Sequence, residues 1–310
     1  INFPTTAIEL INIFNYLKIL IQIKKLVQNN SSDIYYLHTP LASHLFRFFN
    51  YFNKIKIIYF VHGFRFTSKS NKWKNFFFKT IEKILSYKTN IFITINNQDF
   101  NYAKYNLASN AKCYKINGVG LKILSSYSKN KIKNKKEIKK ILVIAAYKKN
   151  KGYLEILKVA KMLQGHNIEI ECYGYGNYYK YNSIKIKKNL SNIYFHNFDK
   201  HLSKKIKNFD ILLHLSKREG LPVALMESLI EGLPVICYNI RGNNDLIKNE
   251  INGYFVKSYK EVSNIICYLN LEVSLFNKMR KNALRSINND FSNKKINLNI
   301  FNIIKNYFNY

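Results

Sequence analysis

The segment from Asp210 to Ile247 most constrains the fold, because it predicts a strand, a loop, a helix and a second strand in immediate succession. Ile211–Leu215 is a short apolar run with the length of a buried strand. The polar loop Ser216–Leu221 follows it. Pro222 then stands where a first helical residue is tolerated, since the N–H of that position has no partner within a helix.

The second half of the segment supplies the helix and the next strand. Val223–Glu231 is predicted to be helical, and Gly232 ends it as a left-handed C-terminal cap does. Pro234–Tyr238 is a second apolar strand, which opens on the proline that a strand accepts only at its start or edge. Two apolar strands joined by a helix indicate a βαβ unit and a parallel sheet.

Two glutamates give this segment a chemical character. Glu219 lies in the loop before the predicted helix, and Glu227 lies among apolar residues inside it. In a parallel α/β sheet, ligands bind beyond the carboxyl ends of the strands, near helix N-termini that attract phosphate. Both carboxylates are therefore expected to border a site for an anion that also carries hydroxyl groups. The alternative is a buried Glu227 paired with Lys or Arg, with Glu219 in solvent.

The sequence Arg-Glu-Gly-Leu-Pro at 218–222, with seven residues between Glu219 and Glu227, resembles the paired-glutamate signature of the retaining family-4 glycosyltransferases. Gly-Leu-Pro-Val-Ile from Gly232 and Gly-Asn-Asn-Asp-Leu-Ile from Gly242 also match what those enzymes carry next. The resemblance implies an α/β GT-B fold, with two Rossmann-like domains and a cleft between them. It also implies transfer of a sugar from a nucleotide donor.

Strands alternate with helices along both halves of the chain, as in doubly wound α/β domains. We expect a first, acceptor-side domain over residues 1–125 and a second, nucleotide-sugar-binding domain over 138–290, with a polar Lys-rich run at the boundary. The last helix, within 291–310, is expected to return to the first domain, where the resemblance sends it. The chain opens at Ile1 rather than Met, so we expect it to lack its beginning and the first strand of the first domain.

The remaining elements follow from short apolar runs and helical spacing. The predicted strands outside the central segment are Ile34–Leu37, Ile55–Val61, Ile91–Ile95, Lys112–Ile116, Ile141–Ala145, Ile168–Tyr173 and Gly253–Val256. The predicted helices outside it are Ala7–Gln28, Trp73–Tyr87, Asn97–Tyr105 and Lys294–Phe308.

The resemblance assigns roles to residues around the two glutamates. It implies that Glu219 contacts hydroxyls of the donor sugar and that Glu227 contacts those of the ribose. Carboxylates suit hydroxyls because each can accept several hydrogen bonds. The backbone N–H groups of Gly220 and Leu221 are expected to help hold the sugar phosphate. Arg218 is expected to add positive charge at the diphosphate.

Lys151 matches the phosphate-binding lysine of the family, and it is expected to open a helix whose N-terminus would also attract phosphate. The chain departs from the family pattern nearby, because Ala146 stands where many relatives carry an arginine. Arg218, Lys148 or Lys149 would then supply the missing charge, or diphosphate binding would be weaker. A solvated Lys151 is the alternative.

In the first half of the chain, His62 and Gly63 follow the predicted buried strand Ile55–Val61. In the family, a His-Gly pair at this place faces the donor sugar, so His62 joins Glu219 as a catalytic candidate and Gly63 becomes a donor-binding candidate. A capping or core histidine is the alternative. His38 has a weaker case, and His214 has none.

Composition leaves two further interpretations open. The formal charge of +32 is either a binding device for an anionic partner or a compositional bias towards Lys and Asn. No nucleic-acid motif accompanies it, so nucleic acid is not an expected partner. No Asp-x-Asp occurs and the four cysteines form no C-x-x-C pair, so neither a metal nor a cofactor beyond the nucleotide-sugar is expected, and the thiols are expected to be reduced in a cytoplasmic protein.

The first functional hypothesis is a retaining, metal-independent transferase that moves a hexose or N-acetylhexosamine from a nucleotide-sugar, taken to be a UDP-sugar. The expected acceptor is a glycan or a lipid-linked glycan in surface polysaccharide biosynthesis. The Phe- and Lys-rich helix Trp73–Tyr87 would then touch the anionic inner face of the cytoplasmic membrane, or simply pack with solvated lysines. The alternative hypothesis is a truncated or inactive GT-B domain that binds nucleotide or acts as a scaffold.

Overall fold

The computed structural model describes residues 21–25, 28, 34–50, 55–67, 70–122 and 134–308. It is an α/β structure with two parallel sheets, and the chain divides into two compact units, Ile1–Ile116 and Asn117–Tyr310. Most of the predicted helix Ala7–Gln28 lies outside the described residues, although 21–25 and 28 are helical. The middle of the Lys-rich run, 123–133, also lies outside them.

The first unit contains a four-stranded parallel sheet in the order β1-β2-β3-β4. Its strands are β1 (Ile34–His38), β2 (Lys56–Val61), β3 (Ile91–Thr94) and β4 (Lys112–Lys115). Its helices are α1 (Pro40–Phe49), α2 (Lys72–Ser86) and α3 (Asn97–Asn106). β2 and β3 are the buried centre of the sheet, which accounts for their nearly continuous apolar sequences.

A buried ion pair links α1 to α2 in the first unit. Arg47 Nη2 donates to Glu82 Oε2 at 2.7 Å, and both side chains are almost fully inaccessible, at 0% and 1% exposure. His44 Nε2 lies 2.8 Å from the other oxygen of Glu82. The Arg47 guanidinium also lies over the ring of Tyr59, 4.4 Å from its centroid. Charges buried this deeply persist because each has a counterion and hydrogen-bond partners.

The second unit contains a six-stranded parallel sheet in the order β10-β9-β8-β5-β6-β7. Its strands are β5 (Lys140–Ile144), β6 (Glu169–Tyr173), β7 (Ile193–His196), β8 (Ile211–His214), β9 (Val235–Tyr238) and β10 (Gly253–Val256). Its helices are α4 (Tyr153–Met162), α5 (Tyr179–Lys187), α6 (Leu202–Lys205), α7 (Val223–Ile230), α8 (Asn243–Leu246), α9 (Tyr259–Leu271), α10 (Val273–Ser286) and α11 (Asn293–Phe308).

The strand order of the second sheet reverses between β5 and β8. The chain builds β5, β6 and β7 outward in one direction, then returns to add β8 on the other side of β5. At such a reversal the loops that follow the two central strands diverge to opposite faces of the sheet and leave a crevice at its carboxyl edge. Lys151 follows β5, and Glu219 follows β8.

Two local expectations in this region were wrong. Pro222 is the N-cap residue of α7 rather than its first helical residue, with ψ of 119°, and the helix begins at Val223. Lys151 does not open the following helix; it ends a short 3-10 turn, Lys149–Lys151, and Gly152 separates that turn from α4. Gly232 has φ of 74°, which confirms the predicted left-handed end of α7.

Two general features complete the description. Within the described residues, no helix combines the length and the apolar character needed to cross a bilayer. All four cysteines are free thiols. The division of the chain assigns α11 to the second unit, and its expected return to the first domain stays a prediction.

Candidate functional site

The Glu219 carboxylate is contacted by two side chains that lie at or beyond the carboxyl ends of the two central strands of the second sheet. Its Oε1 accepts a hydrogen bond from Lys151 Nζ at 2.5 Å and lies 3.1 Å from Nε2 of His214. His214 is the last residue of β8, and Lys151 lies just beyond β5. The adjacency of these strands therefore brings together groups that are distant in the sequence.

The second carboxylate oxygen of Glu219 is left available. Within the part of the chain that the structure describes, no hydrogen bond or ion pair uses Oε2. Burial alone would raise the pKa of this carboxyl. Hydrogen bonds and positive charge from His214 and Lys151 more than compensate and hold the pKa at about 2. Glu219 is thus a fixed, ionised acceptor with one free oxygen.

The backbone around Glu219 is held from the neighbouring loop. Arg241 Nε donates to the Glu219 carbonyl oxygen at 2.9 Å. Gly242 has φ of 80°, and a Cβ there would collide with the Gly220 carbonyl. Only glycine allows the two loops to touch in this way. The carboxylate is therefore positioned by a packed loop rather than by a mobile one.

The other predicted residues of this loop lie beside Glu219. Arg218 is half-buried, and its carbonyl accepts a hydrogen bond from Ser216 Oγ at 3.2 Å. Leu221 is buried. Among the described residues, no hydrogen bond engages the backbone N–H of Gly220 or Leu221. Two donors thus remain open just before α7, where the helix N-terminus adds partial positive charge.

A cavity of about 260 Å³ opens at the carboxyl edge of β5 and β6, and Glu227 lines it. Glu227 lies in the second turn of α7 and is half-buried. Burial raises the pKa of its carboxyl. Across the described ranges, no hydrogen bond or ion pair involves this carboxylate, so it is neither locked to a lysine nor to an arginine.

Small residues and aromatic rings form part of this cavity, which Asp199, Lys200 and Ser203 also line. Ala146 lines it at the position where the family pattern carries an arginine. A Cβ on Gly174 would collide with the Ala145 carbonyl, so the turns after β5 and β6 are in direct contact. The rings of Tyr175 and Phe198 stack at its rim, with centroids 3.9 Å apart and planes 13° apart.

In the first unit, His62 and His38 form a pair at the carboxyl ends of β2 and β1. His38 Nδ1 and His62 Nε2 are 2.9 Å apart, within hydrogen-bond distance. Burial, together with the neighbouring His38, lowers the pKa of His62 to about 4. Burial also lowers the pKa of His38. Gly63 follows with φ of 142°, a conformation that favours glycine.

The structure brings Lys151 and Glu219 into direct contact and places Arg218, Gly220 and Leu221 on the same loop, while His62 and Gly63 lie in the other unit. His214 was missed by the sequence analysis. Its signal was its place at the end of a predicted buried strand, five residues before Glu219. Among the described residues, no three His, Cys, Asp or Glu side chains are grouped as metal ligands.

Comparisons with known families match most of the chain. The family model described as "Glycosyl transferases group 1" matches residues 126–285. The model described as "Glycosyl transferase 4-like" matches residues 5–96. The first match contains every residue of the Glu219 cluster and of the cavity, and the second contains the histidine pair.

Individual relatives are more distant. A putative glycosyltransferase EpsD of Bacillus subtilis is 26% identical over 253 residues, which cover 76% of this chain and 66% of the relative. A UDP-Gal:alpha-D-GlcNAc-diphosphoundecaprenol alpha-1,3-galactosyltransferase of Escherichia coli is 26% identical over 314 residues, which cover 94% and 79%. The crystal structure of S. aureus TarM aligns with a TM-score of 0.69 at 19% identity, over 93% of this chain and 58% of TarM. The fold matches the GT-B structures, and the chain spans less than two thirds of the length of EpsD and TarM.

Proposed function

The chain belongs to the glycosyl transferases group 1 family, and from that premise we propose that it transfers a hexose or N-acetylhexosamine from a UDP-sugar, with retention of anomeric configuration. The proposed acceptor is a glycan or lipid-linked glycan in surface polysaccharide biosynthesis, handled at the cytoplasmic side of the membrane. The UDP donor and lipid-linked acceptor class are supported by the activity for which the E. coli relative is named.

One observation carries the proposal: a held carboxylate with a free oxygen stands beside a cation at the crevice of the second sheet. Glu219 Oε1 is occupied by Lys151 and His214, which leaves Oε2 to accept hydrogen bonds from hydroxyls of the donor sugar. The ammonium group of Lys151 has three donors, of which the contact with Glu219 uses one. The others are available to the donor diphosphate.

The cavity is suited to the nucleoside part of the same donor. Glu227 presents an unpaired carboxylate to it, suited to the two hydroxyls of a ribose. Ala146 and Gly174 keep the floor of the cavity free of large side chains. Stacked Tyr175 and Phe198 offer an aromatic surface at the rim for a base.

In the proposed reaction, the acceptor hydroxyl oxygen bonds to the anomeric carbon on the face from which the diphosphate leaves. The bond between the anomeric carbon and the phosphate oxygen breaks, and its electron pair stays with the diphosphate, which takes the acceptor proton. Lys151, Arg218 and the N-terminus of α7 offset the charge that develops on the leaving group. We assign neither a metal nor a cofactor to this step, so transfer should persist in excess chelator.

His62 is proposed to act from the first unit as a neutral hydrogen-bonding group. Its lowered pKa keeps the imidazole uncharged near pH 7, so it can both donate to and accept from a substrate hydroxyl. Gly63 beside it leaves the backbone open to close approach. The acceptor is proposed to bind in this unit.

The experiment is a screen of UDP- and other nucleotide-sugars for thermal stabilisation, followed by transfer or donor hydrolysis with the best ligand. A ligand that binds only the folded state raises the Tm. Lys151→Ala and Glu219→Ala are expected to lower kcat/KM at least 100-fold, the scale of removing one stabilising group at a developing charge. Lys204→Ala, which removes an exposed lysine of α6, is the charge-matched control. Turnover unchanged in both site variants would refute the site assignment.

A second candidate, a GT-B protein that binds nucleotide without transferring sugar, is favoured by one feature. Ala146 lines the cavity where the family pattern has an arginine, which removes a cation from the diphosphate. This candidate predicts stabilisation by UDP with no turnover of any donor, and turnover that appears on Ala146→Arg. Transfer by the unmodified chain would exclude it.

A further inference from the structure

Helix α2 presents its apolar residues to solvent. Trp73 is 82% exposed, and four more large apolar side chains of this segment are each more than half exposed: Phe76, Phe77, Ile84 and Tyr87. At about 100° per residue, these five side chains fall within an arc of about 100°. We call this arc the aromatic face of α2.

The inner face of α2 is mixed in character. Its buried residues are Glu82, Leu85 and Ser86, and Glu82 is held by Arg47 and His44. A helix that packs on a sheet in water normally turns its apolar stripe inward and its charges outward. In α2 five large apolar residues point outward, while the inner face combines the buried carboxylate of Glu82 with buried Leu85 and with Phe78, which packs against the core.

The centre of the aromatic face carries no unsatisfied polar group. Thr80 lies there, between Phe76 and Ile84 on the helical surface, and its hydroxyl donates to the Phe76 carbonyl at 3.0 Å. A threonine that bonds back to its own helix tolerates an apolar surrounding. The face is therefore chemically uniform along its length.

Lysines border the aromatic face on both sides. Lys72 and Lys83 are exposed along one border and Lys74 along the other. Glu82, the only acidic residue of α2, faces inward and is paired. The outward surface is thus apolar in the middle and positive at its edges, with no negative charge.

We propose that the aromatic face of α2 docks on the surface of an anionic lipid bilayer, with the helix lying in the membrane plane. Trp and Tyr favour the headgroup level, and Phe is typical of the apolar face of helices that lie in the membrane interface. Lysines beside them are attracted by anionic lipid. A protein partner would need acidic residues around an apolar groove to match the same surface. The proposal does not depend on sugar transfer, because α2 holds none of the residues assigned to that reaction.

The chain offers a built-in probe, since Trp73 is its only tryptophan. The experiment adds unilamellar vesicles to the full chain, either of phosphatidylcholine alone or of phosphatidylcholine with about 30 mol% phosphatidylglycerol, whose anionic headgroups give a negative surface potential. With anionic vesicles, the Trp73 emission should shift to shorter wavelength and be quenched by lipids brominated near the headgroup end of the acyl chain. It should not change with neutral vesicles, and high salt should reverse binding.

Variants separate the apolar and the electrostatic contributions in a vesicle sedimentation assay. Phe76→Ser/Phe77→Ser should weaken partitioning at least ten-fold. Lys74→Gln/Lys83→Gln should weaken it about thirty-fold, or about 2 kcal/mol at 1 kcal/mol for each basic residue. Lys204→Gln/Lys207→Gln, which removes the same charge from the second unit, and Leu271→Ser, which removes another exposed apolar side chain, should leave partitioning unchanged.

Three outcomes would overturn the proposal. The first is a folded protein whose Trp73 emission does not change with anionic vesicles and which does not sediment with them. The second is binding that the lysine control pair reduces as much as the α2 pair does, which would make net charge rather than this face responsible. The third is an emission maximum that is already short without lipid and lengthens on dilution, with a dimer in sedimentation velocity, which would show that a second copy covers the face.

Discussion

Lys151 Nζ lies 2.5 Å from Glu219 Oε1, although 68 positions separate the two residues in the sequence. The contact exists because β5 and β8 are neighbours in the sheet while the chain visits β6 and β7 between them. It joins the residue proposed to hold phosphate to the residue proposed to hold the sugar. The effects of substitutions at Lys151 and Glu219 are therefore expected not to be additive.

Acid stability should report the state of Glu219. Its pKa is about 2 when folded, against 4.5 for an unperturbed glutamate. A depressed carboxyl pKa contributes stability above the unfolded value, and this contribution disappears as pH falls through the folded value. The difference in unfolding free energy between the wild type and Glu219→Gln should therefore be greatest above pH 4.5 and shrink by up to about 3 kcal/mol towards pH 2.

Urea unfolding of both proteins between pH 7 and pH 2 would measure that difference. Glu137→Gln is the control, because Glu137 forms an exposed pair with Lys139 and such pairs contribute little. A difference between wild type and Glu219→Gln that stays constant over this range would mean that Glu219 is not ionised through contact with Lys151 and His214.

His62 should stay neutral in mildly acidic solution. Burial first, and the neighbouring His38 second, lower its pKa to about 4. The unfolded chain protonates this group near pH 6.5 while the folded chain does not, so the contribution of His62 to stability should decline as pH falls from 6.5 to 4. In His38→Gln the pKa of His62 should rise but remain below 6.5, because burial persists.

Titration of the imidazole proton signals by NMR would follow both histidines, with His201, an exposed histidine of the second unit, as the internal reference. Loss of the His62 signal in His62→Gln makes the assignment. A His62 that titrates near 6.5 in the wild type would contradict the partial burial of its imidazole beside His38.

Removing one partner of the Arg47–Glu82 pair should lower the unfolding free energy more than replacing both partners with apolar residues. Glu82→Gln leaves the Arg47 guanidinium buried without a counterion, and we expect a loss of about 3–5 kcal/mol in unfolding free energy. Arg47→Met/Glu82→Met removes both charges, and we expect a smaller loss than for Glu82→Gln alone. Urea unfolding at pH 7 would compare them. Equal losses would show that the pair is not the reason for the cost.

Two glycines with similar backbone conformations should respond differently to alanine. Gly152 has φ of 78°, and a Cβ there would collide with the Leu215 carbonyl, whereas Gly165 has φ of 91° and nothing lies within 4 Å of its Cβ position. Gly165→Ala should cost about 1–2 kcal/mol from backbone strain alone. Gly152→Ala should cost more and should also weaken donor binding, because it forces Lys151 and Glu219 apart. Equal melting temperatures would contradict the packing of Gly152 on Leu215.

Much of the fold is readable in the sequence because parallel sheets need nearly continuous apolar strands. Ile211–Leu215 and Pro234–Tyr238 were predicted within one residue of β8 and β9. Strand β7 was not predicted, because it is a short edge strand whose side chains are mostly not buried. Pro222 was misplaced by one position because the proline ring fixes φ but leaves ψ free, and its ψ of 119° is extended rather than helical.

The site could be predicted only in part. Glu219 and Glu227 could both be selected as candidates from their spacing, because a single loop and the helix after it contain them. The contact between Lys151 and Glu219 and the support from His214 depend on which strands are neighbours, and no local pattern encodes strand order. Arg241 was missed for the same reason, because it reaches the Glu219 backbone from the loop after another strand.

Different residues of α2 form its exposed aromatic face and its contacts with the rest of the first unit. Its attachment to the rest of the unit depends on the ion pairs of Glu82 and on the inward side chains of Phe78 and Leu85, so the outward aromatic residues are not needed to hold the helix in place. Substitutions among Trp73, Phe76 and Phe77 should therefore tune adhesion to a surface over a wide range while the melting temperature barely moves. In this helix, affinity for a surface and stability of the fold can therefore be changed independently.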